Sequence, residues 1–296
     1  MDIVELYVTI DDFCKKFMPR YNYLLKQKGQ IMRNRSGILS TSEIILILLM
    51  FPNSNYKYFK WFYIEKVCGD YASCFKQLPS YNRFLELIPR VLLVLFRFVQ
   101  YTMYVFRKRS SIEYIDSTKI QVCHNKRTNT HKVFDGSATI GKSSMGWFFG
   151  FKLHVTCNLN GELTSFNLTK GNVDDRKPVL QLMKGFTGKV FADKGYIGKK
   201  LADQLQEMGI TLITNAKKNM KSLNLPANII DVILHKKRSL IESVFNVLKN
   251  KLQLVHTRHR SIPNFIGHLL SVLLSYQLVD DKPSVHIPFM IDADFA

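Results

Sequence analysis

Residues 147–157 alternate so regularly that they rule out a helix. Trp147, Phe149, Phe151, Leu153, Val155 and Cys157 are spaced two apart, and in an extended chain such positions share one face. Asn158-Leu-Asn-Gly161 follows as a turn signal, and 163–168 reads as the returning strand. Residues 147–169 therefore predict an antiparallel hairpin, with Trp147 as a core anchor and His154 on the polar face. Other segments then take their places around a sheet. Residues 112–122 alternate as a strand. Residues 189–192 and 210–214 read as short strands, and 174–184 and 195–208 as helices, the first starting at Asp174-Asp175-Arg176. This order predicts an α/β domain in which an antiparallel hairpin feeds a partly parallel sheet flanked by helices.

The first 108 residues have a different period and read as an all-helical domain. Ser40-Thr-Ser-Glu43 is a capping-box pattern before the apolar run 44–51, and Pro52-Asn53 ends that run. A hydrophobic, aromatic and basic stretch follows at 56–63, with Lys57 and Lys60 interleaved. Residues 85–106 read as one long helix with Pro89 near its start. Arg107-Lys-Arg109 forms a basic linker, 109–280 the α/β domain with a last helix at 262–279, and 281–296 a tail.

Charge narrows the possible partners. The chain has 42 Lys and Arg against 23 Asp and Glu, a formal net charge of +19. That excess favours a polyanion, above all nucleic acid. A membrane surface fits less well, because the charge is spread along the chain and no strongly basic amphipathic helix stands out. The apolar stretch 85–106 carries Glu86, Arg90 and Arg97, which argues against a membrane span. Asp2 and Glu5 stand where a secretory signal would be basic. The five cysteines are odd in number and lack CxxC spacing, which fits free thiols in a reducing cytoplasm and argues against a zinc site at Cys123-His124.

Three acids attract attention. Tyr114-Ile-Asp116 places one inside a strand, where a buried carboxylate needs a partner or a metal. Phe191-Ala-Asp193-Lys-Gly places a second at a strand end, where α/β sheets bind ligands. The third is Glu242, in His235-Lys-Lys-Arg238-Ser-Leu-Ile-Glu242-Ser-Val-Phe-Asn-Val-Leu-Lys249. Read as one helix, this segment sets Glu242 roughly 40° and Lys249 roughly 20° from Arg238. That stripe also reads as a solvated face with ordinary ion pairs. Asp116 alone also has a reading as a strand-end cap, and Asp193 one as a turn or helix cap. Together the three could converge on Mg²⁺ or Mn²⁺ beside a phosphate. Cys123-His-Asn-Lys126-Arg127, Lys217-Lys218 and Arg258-His-Arg260 are candidate contacts to a nucleic-acid backbone.

The ordered pieces "YIDSTKI", "FADKGYIG" and "RSLIESVFNVLK" resemble those of the DDE transposases of bacterial insertion sequences, over about residues 110–280. The last piece is similar to the Arg-x3-Glu-x6-Lys part of a signature in one large group, which usually has a Tyr three residues before the Arg. Here that position is His235. The resemblance implies an RNase H-like catalytic core with Asp116, Asp193 and Glu242 as catalytic acids and ligands of two divalent metal ions. Arg238 and Lys249 would hold phosphates, and His235, Lys126, Arg127, Lys217 and Lys218 would lie on the DNA side. It implies cleavage at the ends of an insertion element, with the freed 3′-OH attacking target DNA. The partners implied are double-stranded DNA, in the form of terminal inverted repeats and target, and a second copy of the chain. The setting implied is the bacterial cytoplasm, at the nucleoid when DNA is bound. An RNase H-like nuclease without strand transfer and a catalytically silent DNA-binding protein share many of these features.

Overall fold

The computed structural model describes residues 2–30, 37–105, 107–108, 110–144, 146–215, 226, 228–255 and 259–285. In chain order the elements are α1 (Ile3–Gln27), α2 (Thr41–Met50), α3 (Phe59–Trp61) running into a π-helical segment (Phe62–Asp70), and α4 (Tyr81–Val105). Next come β1 (Ile112–Cys123), β2 (Thr139–Ser143), β3 (Gly146–Asn158) and β4 (Leu163–Lys170). They are followed by α5 (Val179–Leu182), β5 (Gly188–Phe191), α6 (Lys199–Glu207) and β6 (Ile210–Ile213). The last are α7 (Ile229–Lys236), α8 (Ser239–Asn246), a π-helical turn (Val247–Lys251) and α9 (Ile262–Leu278). These elements form two compact units. One comprises Met1–Thr102 with Leu248–Val279, the other Met103–Val247 with Asp280–Ala296.

The first unit is helical. The capping box forms as expected: Ser40 Oγ accepts the Glu43 N–H, and the Glu43 carboxylate accepts the Ser40 N–H. The six residues from Ile44 to Leu49 are all buried, so α2 is apolar all round and serves as an interior helix. It packs against α1 and α9, and Asn53 ties its end to Ser275 Oγ (3.2 Å). The long helix α4 begins at Tyr81. Pro89 consequently lies inside it, where the ring removes a backbone donor.

The second unit is built on a mixed six-stranded sheet. The strand order is β2-β3-β1-β5-β6, with β4 also paired to β3. β3 is antiparallel to β1, β2 and β4, whereas β1–β5 and β5–β6 are parallel. β1 occupies one edge of β3, so β2 (opposite 146–150) and β4 (opposite 151–157) lie end to end along the other. The hairpin predicted at 147–169 is thus β3–β4. Ile115 faces a core of Val179, Leu182, Val190, Tyr196, Leu201 and Leu205. Tyr114 points to the opposite face, where its hydroxyl donates to the Leu234 carbonyl of α7 (3.0 Å).

Several sequence expectations change. β2, with its sequence Thr-Ile-Gly-Lys-Ser, lacks an apolar alternation and is not foreseen. The helix expected at 174–184 shrinks to α5, because Asp174 Oδ1 accepts the Arg176 N–H (2.9 Å) and holds a turn. The helix expected at 195–208 is a short 3₁₀ turn (Lys194–Tyr196), then α6 after the extended Gly198. The segment 235–249 is not one helix. α7 ends at Lys236 and α8 starts at Ser239. Leu234 and Leu240 are both buried, and a continuous helix would set them roughly 120° apart, so the break helps both face the core. Trp147 is no core anchor: it is 61% exposed, with Lys142 Nζ 5.6 Å from its ring centroid. His154 is fully buried, because β3 is covered on both faces.

Two consequences are testable. A Cβ at Gly150 would lie 2.0 Å from the Ile120 carbonyl oxygen, so Gly150→Ala is expected to destabilise the protein by about 3 kcal/mol, read as a lower urea midpoint. Glu113 on β1 is buried, and burial pushes its carboxyl up to about 7, against the Thr164 and Thr156 hydroxyls and the Arg107 charge, which lower it. With a folded pKa above the unfolded one, the stability this group contributes is full below pH ~4.5 and lost as pH rises through about 7. Glu113→Gln should therefore raise the melting temperature at pH 8, by the equivalent of about 3 kcal/mol, and leave it nearly unchanged at pH 4.5.

Candidate active site

The β1–β5 register brings two of the acids to one level. Tyr114 pairs with Phe191 across parallel strands. Asp116 and Asp193 each lie two residues beyond that pair, at the carboxyl end of the parallel ladder. Asp116 remains in β1, and Asp193 N-caps the 3₁₀ turn. Because strand side chains alternate, Asp116 shares the face of Tyr114, the one covered by α7, and α8 packs against β1.

Arg238, the residue preceding α8, connects two acids. Its Nη1 is 3.6 Å from Asp116 Oδ2, and its Nη2 donates to Glu242 Oε1 at 3.2 Å. Asp116 Oδ1 also accepts the Ser117 N–H (2.8 Å). Burial pushes the Asp116 carboxyl up to about 6, outweighing the Ser117 N–H and the Arg238 charge, while Asp193 and Asp175 push the same way as burial. The Glu242 side chain is 59% exposed. A cavity of about 400 Å³ opens beside it, lined by Asn215, Pro226, His235, Arg238, Ser239 and Glu242. His235 is buried near the Phe191 ring (centroids 6.4 Å apart). Its pKa is lowered, first by burial, against a hydrogen bond with the Ala192 backbone, and further by Arg238, and among the described residues its Nε2 has no hydrogen-bond partner.

A fourth acid stands next to these. Asp175 Oδ1 accepts from Ser117 Oγ (3.0 Å) and from Lys152 Nζ (3.0 Å), and Lys152 also donates to the Val173 carbonyl (3.0 Å). His154 Nδ1 lies 3.9 Å from the same oxygen, and its other nitrogen meets Thr169 Oγ1 at 2.8 Å. Burial lowers the His154 pKa to about 4, so the ring is neutral at pH 7. Tyr196 is buried, and its phenol is raised by burial and then by the Asp116 and Asp175 charges. The sequence reading assigned Asp175 to a helix start. Its partner on β3 is 23 residues away, a distance no local pattern reveals.

The remaining candidates stand elsewhere. Lys126 and Arg127 are exposed on a 3₁₀ turn (Asn125–Thr130) beyond the far end of β1. Asp116 lies seven residues before Cys123, roughly 23 Å along the strand. Lys249 is in the π-helical turn and belongs to the helical unit. Lys217, Lys218 and Arg258 lie outside the described residues. Among the described residues no three His, Cys, Asp or Glu side chains are grouped closely enough to hold a metal ion.

A family model described as Transposase DDE domain matches residues 106–262. The chain belongs to this family. The antiparallel-then-parallel sheet after N-terminal helices is accordingly the RNase H-like core of a DDE domain. No curated protein matches the sequence. Among solved structures, the cryo-EM structure of a piggyBac transposase synaptic complex with hairpin DNA is similar at TM-score 0.48 and 12% identity, over 93% of this chain and 73% of that chain. Within the DDE domain the Lys152–Asp175 pair is testable by stability alone. Lys152→Met should cost about 2–3 kcal/mol, since it leaves a partly buried carboxylate without its cation. Adding Asp175→Asn should restore more than half of that loss in denaturant melts.

Proposed function

We propose that this chain is the transposase of a bacterial insertion element. In this reading it binds the element's terminal inverted repeats, cleaves them by hydrolysis of a phosphodiester, and directs the freed 3′-OH onto target DNA. The observations that support the reading are Asp116 and Asp193 at one level of the parallel ladder and Arg238 reaching from Asp116 to Glu242, although the three carboxylates are not drawn together at metal-ligating distance here. The family match and the net charge of +19 point the same way.

The donor chemistry fits divalent metal. Asp116, Asp193 and Glu242 offer only carboxylate oxygens, the ligands that hard cations such as Mg²⁺ and Mn²⁺ prefer. These three would hold two such ions, which when bound polarise phosphodiester oxygens and lower the pKa of water. The chain's other groups bind and orient. Arg238 presents a planar fork that suits phosphate oxygens, and Lys249 adds a point charge. Lys126, Arg127, Lys217 and Lys218 extend the backbone contacts, and His235 contributes from within the cavity. The helical unit, Met1–Thr102 with Leu248–Val279, supplies further DNA contacts, and the unit that contains Met103–Val247 carries the catalytic acids. Two element ends require two active sites, hence a homodimer on DNA, working in the bacterial cytoplasm.

The test is incubation of the full chain with element-end duplex, a second duplex and Mg²⁺. The expected products are a cleaved end and a covalent joint between its 3′-OH and the second duplex. Asp116→Ala, Asp193→Ala and Glu242→Gln should each lower cleavage by roughly 10³-fold or more. Cleavage without joining would indicate a nuclease, and full activity in Asp116→Ala would overturn the site.

A further inference from the structure

The helical unit contains a second cavity, of about 500 Å³, which the DDE chemistry does not use. It collects two segments singled out by sequence alone: the aromatic and basic stretch at 56–63, and the neighbourhood of Arg260. Leu48, Phe51, Ile88 and His268 are buried residues lining it. Tyr58, Phe59 and Tyr81 add half-buried rings. Phe59 is wedged in place, edge-on to Phe51 at 5.2 Å and 6.3 Å from Tyr81 between ring centroids. Lys60, Trp61, Asn82 and Arg260 are exposed residues of the lining. Trp61 is 50% exposed, with Lys60 Nζ 5.7 Å from its ring centroid, and the charge of Arg260 reaches Tyr81. No carboxylate is among the described lining residues.

Each part of this lining has a chemical implication. Half-buried aromatic faces offer a flat ligand a stacking surface that suits any base. The amides of Asn82 and Asn264 match the donor and acceptor edges of a base. Lys60 and Arg260 bring positive charge, and none of the described lining residues is an acid, which suits a phosphate. The volume is within the range of small-ligand pockets, too narrow for a duplex and wide enough for one nucleotide. We propose that this cavity takes a single unstacked nucleotide of DNA, its base against Phe59, Tyr81 and Trp61 and its phosphate on Lys60 and Arg260. The proposal rests on the DNA-acting reading above and adds to it a subsite that recognises distorted rather than paired DNA.

The experiment compares two labelled duplexes of the same sequence, one fully paired and one carrying a single unpaired 2-aminopurine, with the full chain in EDTA so that no cleavage occurs. Expected is roughly tenfold tighter binding of the bulged duplex, together with a change in 2-aminopurine fluorescence on binding. Trp61→Ala and Arg260→Ala should each bring the ratio of bulged to paired binding close to one, whatever either substitution does to the paired duplex itself. Both side chains are well exposed, and unchanged melting temperatures would confirm that the variants fold. Arg260→Lys should keep most of the preference. Equal binding of the two duplexes by the unaltered chain, or an intact preference in both alanine variants, overturns the pocket and leaves the DNA-acting reading standing. Binding of neither duplex overturns both.

Discussion

The parallel pairing of β1 with β5 is the constraint on which the candidate site depends. Parallel strands need a long crossover, and here residues 124–187 supply it, including β2, β3, β4 and α5. Once Tyr114 is set opposite Phe191, every residue beyond that pair is placed as well. A shift of one residue in β1 would turn Asp116 to the other face and bring Ile115 out of the core. The apolar residues therefore hold the acids in place. Ile115 and Val190 are fully buried on one side, and on the other the Tyr114 hydroxyl fastens α7 through the Leu234 carbonyl. The polar site takes its position from an apolar register.

Electrostatics then explains why the acids need company. Asp116 loses most of its hydration, and one guanidinium at 3.6 Å does not compensate fully, since its carboxyl is still pushed up to about 6. Two more carboxylates, Asp193 and Asp175, act in the same direction. Asp175 is steadied by Lys152 and Ser117, so the negative charge that remains concentrates around Asp116. A site with more acid than base in a chain of net charge +19 is an exception to the general balance of the protein, and such exceptions mark function better than the balance does.

Much of this was legible in the sequence, for identifiable reasons. The β3–β4 hairpin is announced by alternation and a turn signal. α2 is announced by a capping box whose two hydrogen bonds both form. Asp116 stands out because a carboxylate inside a strand is costly. What could not be read shares a single cause, dependence on partners distant in the chain. β2 has no alternation of its own and exists because β3 has an open edge at 146–150. Trp147 satisfies the alternation and still lies in solvent with Lys142 beside its ring, because alternation does not say which face of a strand a distant segment covers. Asp175 looks like a helix start until Lys152 is set opposite it. The grouping of 248–279 with the N-terminal helices likewise depends on α2 and α9 packing together, about two hundred positions apart in the sequence.

The break between α7 and α8 changes the meaning of the charged stripe. In a continuous helix His235, Arg238, Glu242 and Lys249 would form a single surface. With the chain interrupted at Lys237, His235 belongs to the helix fastened by Tyr114, while Arg238 and Glu242 belong to the one that packs on β1. His235 is buried, and burial together with Arg238 lowers its pKa, so at neutral pH it carries no charge to offer a phosphate. Its ring lines the cavity that Arg238 and Glu242 share, while its Nε2 is buried and has no hydrogen-bond partner among the described residues. A tyrosine at this place would offer a hydroxyl, also neutral and also able to hydrogen-bond. A His where a Tyr could stand therefore keeps an uncharged polar group at the cavity wall, and the positive charge of that wall is left to Lys236 and to Arg238, which lies between Asp116 and Glu242.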